Sequence, residues 1–229
     1  MGRAWRPSGQ GRGPRGTLNN AELAAYLRVI VIVERRLAAP RSVVEIVHAA
    51  LQGGATAFQL RNKGDTAREL LEVAHELRPL TRDMGALLFI NDRLDVAMAA
   101  GADGVHLGPD DMPVEAARAA APREFLIGRS TDDPAIARDA VLAGASYIGC
   151  GTVFATTTKT DAGDVIGLEG LRLVTQAVEV PVVGIGGITP GRAASVIAAG
   201  AAGVAVVGAI MQASDPAAVV RSMLGSLRA

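Results

Sequence analysis

Residues 87–111 read LLFINDRLDVAMAAGADGVHLGPDD. The apolar run 87–90 is too short for a helix and stops at Asn91-Asp92, so it predicts a strand. Residues 94–100 have helical composition and end at Gly101, a residue suited to closing a helix. A second apolar run, 104–107, stops at Gly108-Pro109 and predicts another strand. Strand, helix, strand in that order makes a parallel pair, because a helical crossover returns the chain to the same end of the sheet. The two strands then finish at one edge, about 5 Å apart. Asp92 follows the first and Asp111 the second at nearly the same offset, so two acids emerge where α/β folds place their chemistry. Carboxylates so placed repel unless a proton or cation lies between them. Two protein oxygens completed by water and phosphate suit Mg²⁺. Taken alone, the same pair also reads as two ordinary loop acids.

Outward from this unit the alternation repeats. Strands are predicted over 27–33, 55–60, 125–128, 146–149, 181–185 and 203–207. Helices are predicted over 43–51, 66–82, 113–120, 134–143, 168–178, 190–199 and 216–227. Gly-Ala stands before a strand at 54–55, 101–102, 144–145 and 200–201, where a glycine ends a helix and a small residue enters the sheet. Eight strand–helix pairs in about 200 residues point to a (β/α)₈ TIM barrel, a single α/β domain over 21–229. A doubly wound open sheet is the runner-up, and it would need fewer units and more continuous apolar strands. Residues 1–20 stand apart, with Arg3, Arg6, Arg12 and Arg15 set among Gly and Pro, and are expected to be a disordered tail. They lack the apolar core of a secretory signal.

Composition narrows the function. The 229 residues carry 23 basic and 23 acidic side chains, so no global field draws the chain to nucleic acid or an anionic membrane. Aromatics make up 3%, too few for a single-strand stacking platform. Cys150 is the only cysteine, which excludes intramolecular disulfides and cysteine-rich zinc sites and fits the reducing cytoplasm. No apolar run is long enough to span a bilayer. The expected partners are small molecules, and a homo-oligomer is compatible with the sequence.

In a barrel, function is read from residues just past each strand. After the second strand come Gln59, Leu60, Arg61, Asn62, Lys63 and Gly64, where alternation sends Gln59, Arg61 and Lys63 to one side. They suit a grip on a polar ring and an anion, or a strand end with solvated charges. After the fifth strand, Ser130 or Thr131 either caps the next helix or, for Ser130, donates to a phosphate oxygen. After the sixth strand, Thr156, Thr157, Thr158, Lys159 and Thr160 form a donor patch suited to an anionic ligand. After the seventh and eighth come Gly184 to Thr189 and Val207-Gly208-Ala209, the loops that cradle phosphate in barrels. His106 is expected to be a packed or hydrogen-bonded barrel residue, Cys150 a small core residue, and His48 and His75 helix residues remote from this edge. No Ser-His-Asp set, Cys-His pair or strand-centred lysine is available, whereas a diphosphate leaving group aided by cations needs no protein nucleophile.

From about Leu27 onward the chain resembles the thiamine phosphate synthase family. The resemblance rests on Gln59-Leu60-Arg61 with Lys63, Asn91-Asp92, Ala102 to Gly108 with Asp111, Gly128 and Ser130, Thr156, Thr158 and Lys159, and Gly184 to Ile188. It implies that a pyrimidine methyl diphosphate and a thiazole phosphate are joined into thiamine phosphate and pyrophosphate by dissociative loss of pyrophosphate. It implies that Gln59, Arg61, Lys63, Asn91, Ser130 and Lys159 hold the pyrimidine diphosphate, with Arg61, Lys63, Ser130 and Lys159 catalytic. Leu60 and Asn62 fall within the same segment. Asp92 and Asp111 would hold Mg²⁺, and Thr156 to Thr158, Gly187, Val207 and Gly208 the thiazole phosphate. The sister thiazole tautomerase is the nearest alternative, and it would be expected to have a histidine where Asp132 stands. A non-catalytic phosphate-binding regulator on the same barrel is the other.

Overall fold

A computed structural model describes residues 17–156 and 164–227. Eight parallel strands close into a barrel in chain order: β1 Val29–Val33, β2 Ala57–Leu60, β3 Leu87–Asn91, β4 Gly104–Leu107, β5 Leu126–Ser130, β6 Tyr147–Cys150, β7 Val182–Ile185 and β8 Gly203–Val206. β8 pairs with β1 through Val29–Val204 and Val31–Val206, and this closure excludes the open sheet. The helices are α1 Asn20–Tyr26, α2 Arg35–Ala38, α3 Val43–Gln52, α4 Ala67–Asp83, α5 Leu94–Ala99, α6 Val114–Ala120, α7 Pro134–Leu142, α8 Gly167–Ala177, α9 Pro190–Ala198, α10 Gly208–Met211 and α11 Pro216–Ser226. Among the described residues no helix is long and apolar enough to cross a membrane.

Local signals in the sequence explain where the helices begin. Asn19, Ser42 and Thr66 each accept from the amide three residues on, while Glu22, Glu45 and Glu69 reach back to the cap amide. Each such cap contributes about 1 kcal/mol. Pro134, Pro190 and Pro216 open α7, α9 and α11, where the missing N–H goes unused.

Large rings set against glycines fill the barrel. Phe89 pairs in register with Gln59 on one side and Gly104 on the other, and His106 and Tyr147 both pair with Gly128. The Phe89 and Tyr147 rings meet edge to face, 5.3 Å between centroids. A β carbon on Gly104 would lie 2.8 Å from the Phe89 ring, so the ring uses the space that the glycine leaves. At the opposite, N-terminal edge Asp103 accepts from the Leu88 amide at 2.8 Å and from Arg78 at 2.9 Å, a brace that ties α4 to the sheet.

Three helices lie outside the expected set. α2 and α10 have four residues each, too few to show a period. α1 starts at Asn20, inside the stretch expected to be tail, and buries Leu23 and Tyr26. Residues 1–16, most of that expected tail, lie outside the described residues. β5 runs two residues beyond its expected end, so Ser130 belongs to the strand and does not cap α7. The cap is Asp133, whose Oδ1 accepts from the amides of Ala135 at 2.6 Å and Ile136 at 3.2 Å.

Candidate active site

Parallel closure brings the C-terminal ends of all eight strands to one rim, and the two acids of the opening stretch meet there. Asn91 ends β3, and Asp92 turns out of it at φ 64°, a left-handed conformation uncommon for a residue with a β carbon. The Asp92 amide donates to the His106 carbonyl at 2.8 Å, and the Arg93 amide donates to the Asn91 carbonyl at 2.7 Å. This tight turn places the Asp92 carboxyl in hydrogen-bonding contact with that of Asp111. Asn91 donates to Asp92 Oδ1 at 2.5 Å. Asp111 is held by the Gly108 amide, 2.6 Å from its Oδ2, and the carbonyl of Gly108 accepts from Arg129. Burial pushes the Asp92 carboxyl up to about 7, Asp111 pushes it the same way, and Lys63 and Arg61 oppose. Two acids competing for one proton, with two cations in range, suit a small hard cation. Among the described residues no set of three or more His, Cys, Asp or Glu is placed to hold a metal, so an ion here would take two protein carboxylates and complete its shell elsewhere.

The β2 end supplies the positive charge. Arg61 is 5% exposed, its amide donates to the Val33 carbonyl at 3.0 Å, and its guanidinium lies 2.5 Å from Glu34 Oε1. Glu34 follows β1 directly, is 3% exposed, and holds Arg36 through its other oxygen at 3.1 Å. Lys63 is exposed at the same rim. Asn62 braces the loop instead, accepting from the Arg35 amide at 2.8 Å and donating to Asp65 at 2.9 Å. Leu60 is fully buried in the hydrophobic core, which leaves its main chain as its link to the rim.

Four side chains cross the barrel just below the acids. Gln59 hydrogen-bonds the Tyr147 hydroxyl, which stands 2.9 Å from His106 Nδ1, and His106 Nε2 stands 2.7 Å from Ser130 Oγ. His106 is therefore the hydrogen-bonded barrel residue expected, and its partner is a candidate site residue. Cys150 is buried and burial pushes its thiol up to about 12, which keeps it a protonated core residue. His48 lies on α3 and His75 on α4.

Loops after β6, β7 and β8 complete the rim. Gly187 has φ 60°, and a β carbon there would lie 2.6 Å from the Ala155 carbonyl oxygen and 2.7 Å from that of Phe154. Only glycine allows the two loops this approach. Arg192 donates to the Gly187 carbonyl at 2.8 Å and covers the Phe154 ring at 4.8 Å, pinning the same loops from outside. Val207 precedes the short α10, which begins at Gly208 just after β8. Thr156 is half-buried on the β6 loop. Thr157, Thr158 and Lys159 lie outside the described residues.

The sequence reading missed Glu34 and Tyr147. Glu34 carries the signal used for Asp92, an acid directly after a strand, and applying it to every strand finds it. Tyr147 shows only as an aromatic in an apolar strand.

Comparison with known proteins gives one answer. The thiamine monophosphate synthase family model matches residues 29–210. The thiamine-phosphate synthase of Moorella thermoacetica is 50% identical over 193 residues, 84% of this chain and 92% of that one. That of Natronomonas pharaonis is 49% identical over 197 residues, 85% of this chain and 92% of that one. The solved structure of thiamine phosphate pyrophosphorylase from Pyrococcus furiosus superposes with a TM-score of 0.82 at 44% identity, covering 90% of this chain and 98% of that one.

Proposed function

The chain belongs to the thiamine monophosphate synthase family, and from that premise we propose that it condenses an aminopyrimidine methyl diphosphate with a hydroxyethylthiazole phosphate to give thiamine phosphate and pyrophosphate. One observation supports the assignment of the rim to this reaction above the others: Asp92 and Asp111 in contact, with Arg61 and Lys63 in electrostatic range.

The carbon–oxygen bond to the diphosphate breaks, and the leaving group takes the electron pair. The thiazole nitrogen then gives its lone pair to the electron-poor methylene carbon. Negative charge builds on the diphosphate as it departs, so the chain's work is to place positive charge there in advance. Arg61 suits this because Glu34 and the β1 carbonyl hold it before any ligand arrives. Lys63, exposed after β2, and Lys159 would add ammonium charge. Asp92 and Asp111 would hold Mg²⁺, which would supply a Lewis acid for the diphosphate oxygens. Gln59, Asn91 and Ser130 orient the pyrimidine. Thr156 to Thr158, Gly187 and the Val207-Gly208 turn hold the thiazole phosphate.

Release of pyrophosphate from the two substrates, measured with and without Mg²⁺, tests the reading. Metal-dependent release is expected. Interconversion of thiazole isomers without metal would instead identify a tautomerase, and phosphate binding without either reaction a regulator.

A further inference from the structure

Tyr147, His106 and Ser130 form a chain whose proton direction follows from acidity and burial. Tyr147 is 1% exposed, and burial pushes its hydroxyl above the ordinary phenol value, so it stays protonated. A phenol is a better donor than an aliphatic hydroxyl, and an aliphatic hydroxyl is the better acceptor. The Tyr147 hydrogen therefore goes to His106 Nδ1, 2.9 Å away, while the Gln59 amide donates to the Tyr147 oxygen. With Nδ1 an acceptor, a neutral imidazole carries its proton on Nε2 and donates to Ser130 Oγ, 2.7 Å away. Ser130 accepts from below and is left with its own proton to give upward.

The barrel is built to hold this arrangement. A β carbon on Gly128 would lie 2.3 Å from the Tyr147 ring and 2.5 Å from His106 Nδ1. One on Gly149 would lie 2.9 Å from the His106 ring. Two neighbouring strands thus give up their side chains so that these rings can lie across them.

We propose that His106 is a positioning residue, fixed by Tyr147 as the Nε2–H tautomer, that commits the Ser130 hydroxyl to donating to an acceptor atom on the pyrimidine diphosphate. This rests on the proposed function for the identity of the ligand, but the tautomer does not. Nitrogen-15 NMR of the ligand-free full chain, labelled at histidine and assigned with His106→Gln, reads it directly. Protonated Nε2 with bare Nδ1 is expected at His106, and an Nδ1–H tautomer or an imidazolium there would overturn the proposal even if thiamine phosphate is made. Failure of wild-type turnover with the expected tautomer would strike the proposed function instead.

A double-mutant cycle separates positioning from packing. Tyr147→Phe keeps the ring and removes the hydrogen, and is expected to lower kcat roughly tenfold in the wild type but less than twofold in a Ser130→Ala background. Equal losses in both backgrounds, or none in the wild type, would show that Tyr147 does not act through Ser130.

Discussion

Glu34 Oε1 lies 2.5 Å from the guanidinium of Arg61, and both residues are 5% exposed or less. A buried pair contributes little net stability, but removing one partner strands the other charge. Glu34→Ala should therefore cost about 3–5 kcal/mol and release Arg61 from its preset position. Chemical denaturation measures the first effect. A rise in KM for the pyrimidine diphosphate, larger than that for the thiazole phosphate, measures the second.

The Asp92 carboxyl, lifted to about 7 by burial and then by Asp111, makes metal binding pH-dependent. Between the ordinary carboxylate range and about 7 the folded chain holds a proton that the unfolded chain has released, so stability without metal falls as pH rises through that window. Mg²⁺ at the proposed site would compete for the same oxygens, so its stabilising effect should grow as the proton leaves. Thermal melts at about pH 6 and about pH 8 should show a larger Mg²⁺-induced rise in Tm at the higher pH. Asp92→Asn should remove that difference.

Gly187→Ala places a β carbon at φ 60° against two carbonyl oxygens of the β6 loop. The strain costs about 1–3 kcal/mol and pushes the loops apart. KM for the thiazole phosphate should rise more than KM for the pyrimidine diphosphate. Equal changes in both would remove Gly187 from the thiazole phosphate cradle.

Lys159→Ala tests the proposed contact of its ammonium group with the leaving diphosphate. Single-turnover release of pyrophosphate should slow by roughly one to three orders of magnitude, as loss of a charge-stabilising donor does. A wild-type rate in that variant would take Lys159 out of the mechanism.

How far the sequence carried the reading depended on the range of each signal. Strand ends are short-range features, marked by an apolar run that stops at a polar pair, so Asp92, Asp111 and Arg61 were legible at the rim. The barrel itself followed from counting such units. Ser130 was harder, because Gly128 and Arg129 break the apolar run while the backbone pairing continues to Ser130. The His106–Tyr147 contact joins residues 41 apart in sequence, and nothing local signals it. The Glu34–Arg61 pair spans 27 residues, and only the register of β1 on β2 brings it together. Asn62, read from its place beside Arg61 as a ligand contact, also closes the loop onto Arg35 and Asp65, a contact that nothing local signals.

The proposed reaction rests on Asp92 and Asp111 sharing a divalent ion that takes charge from a departing diphosphate. Crystals soaked with Mn²⁺ and pyrophosphate locate such an ion by anomalous scattering. A peak between the two carboxylates, with pyrophosphate oxygens completing its shell on the side of Arg61 and Lys63, is the expected result. A peak elsewhere on the rim, or pyrophosphate bound without an ion between the acids, would contradict it.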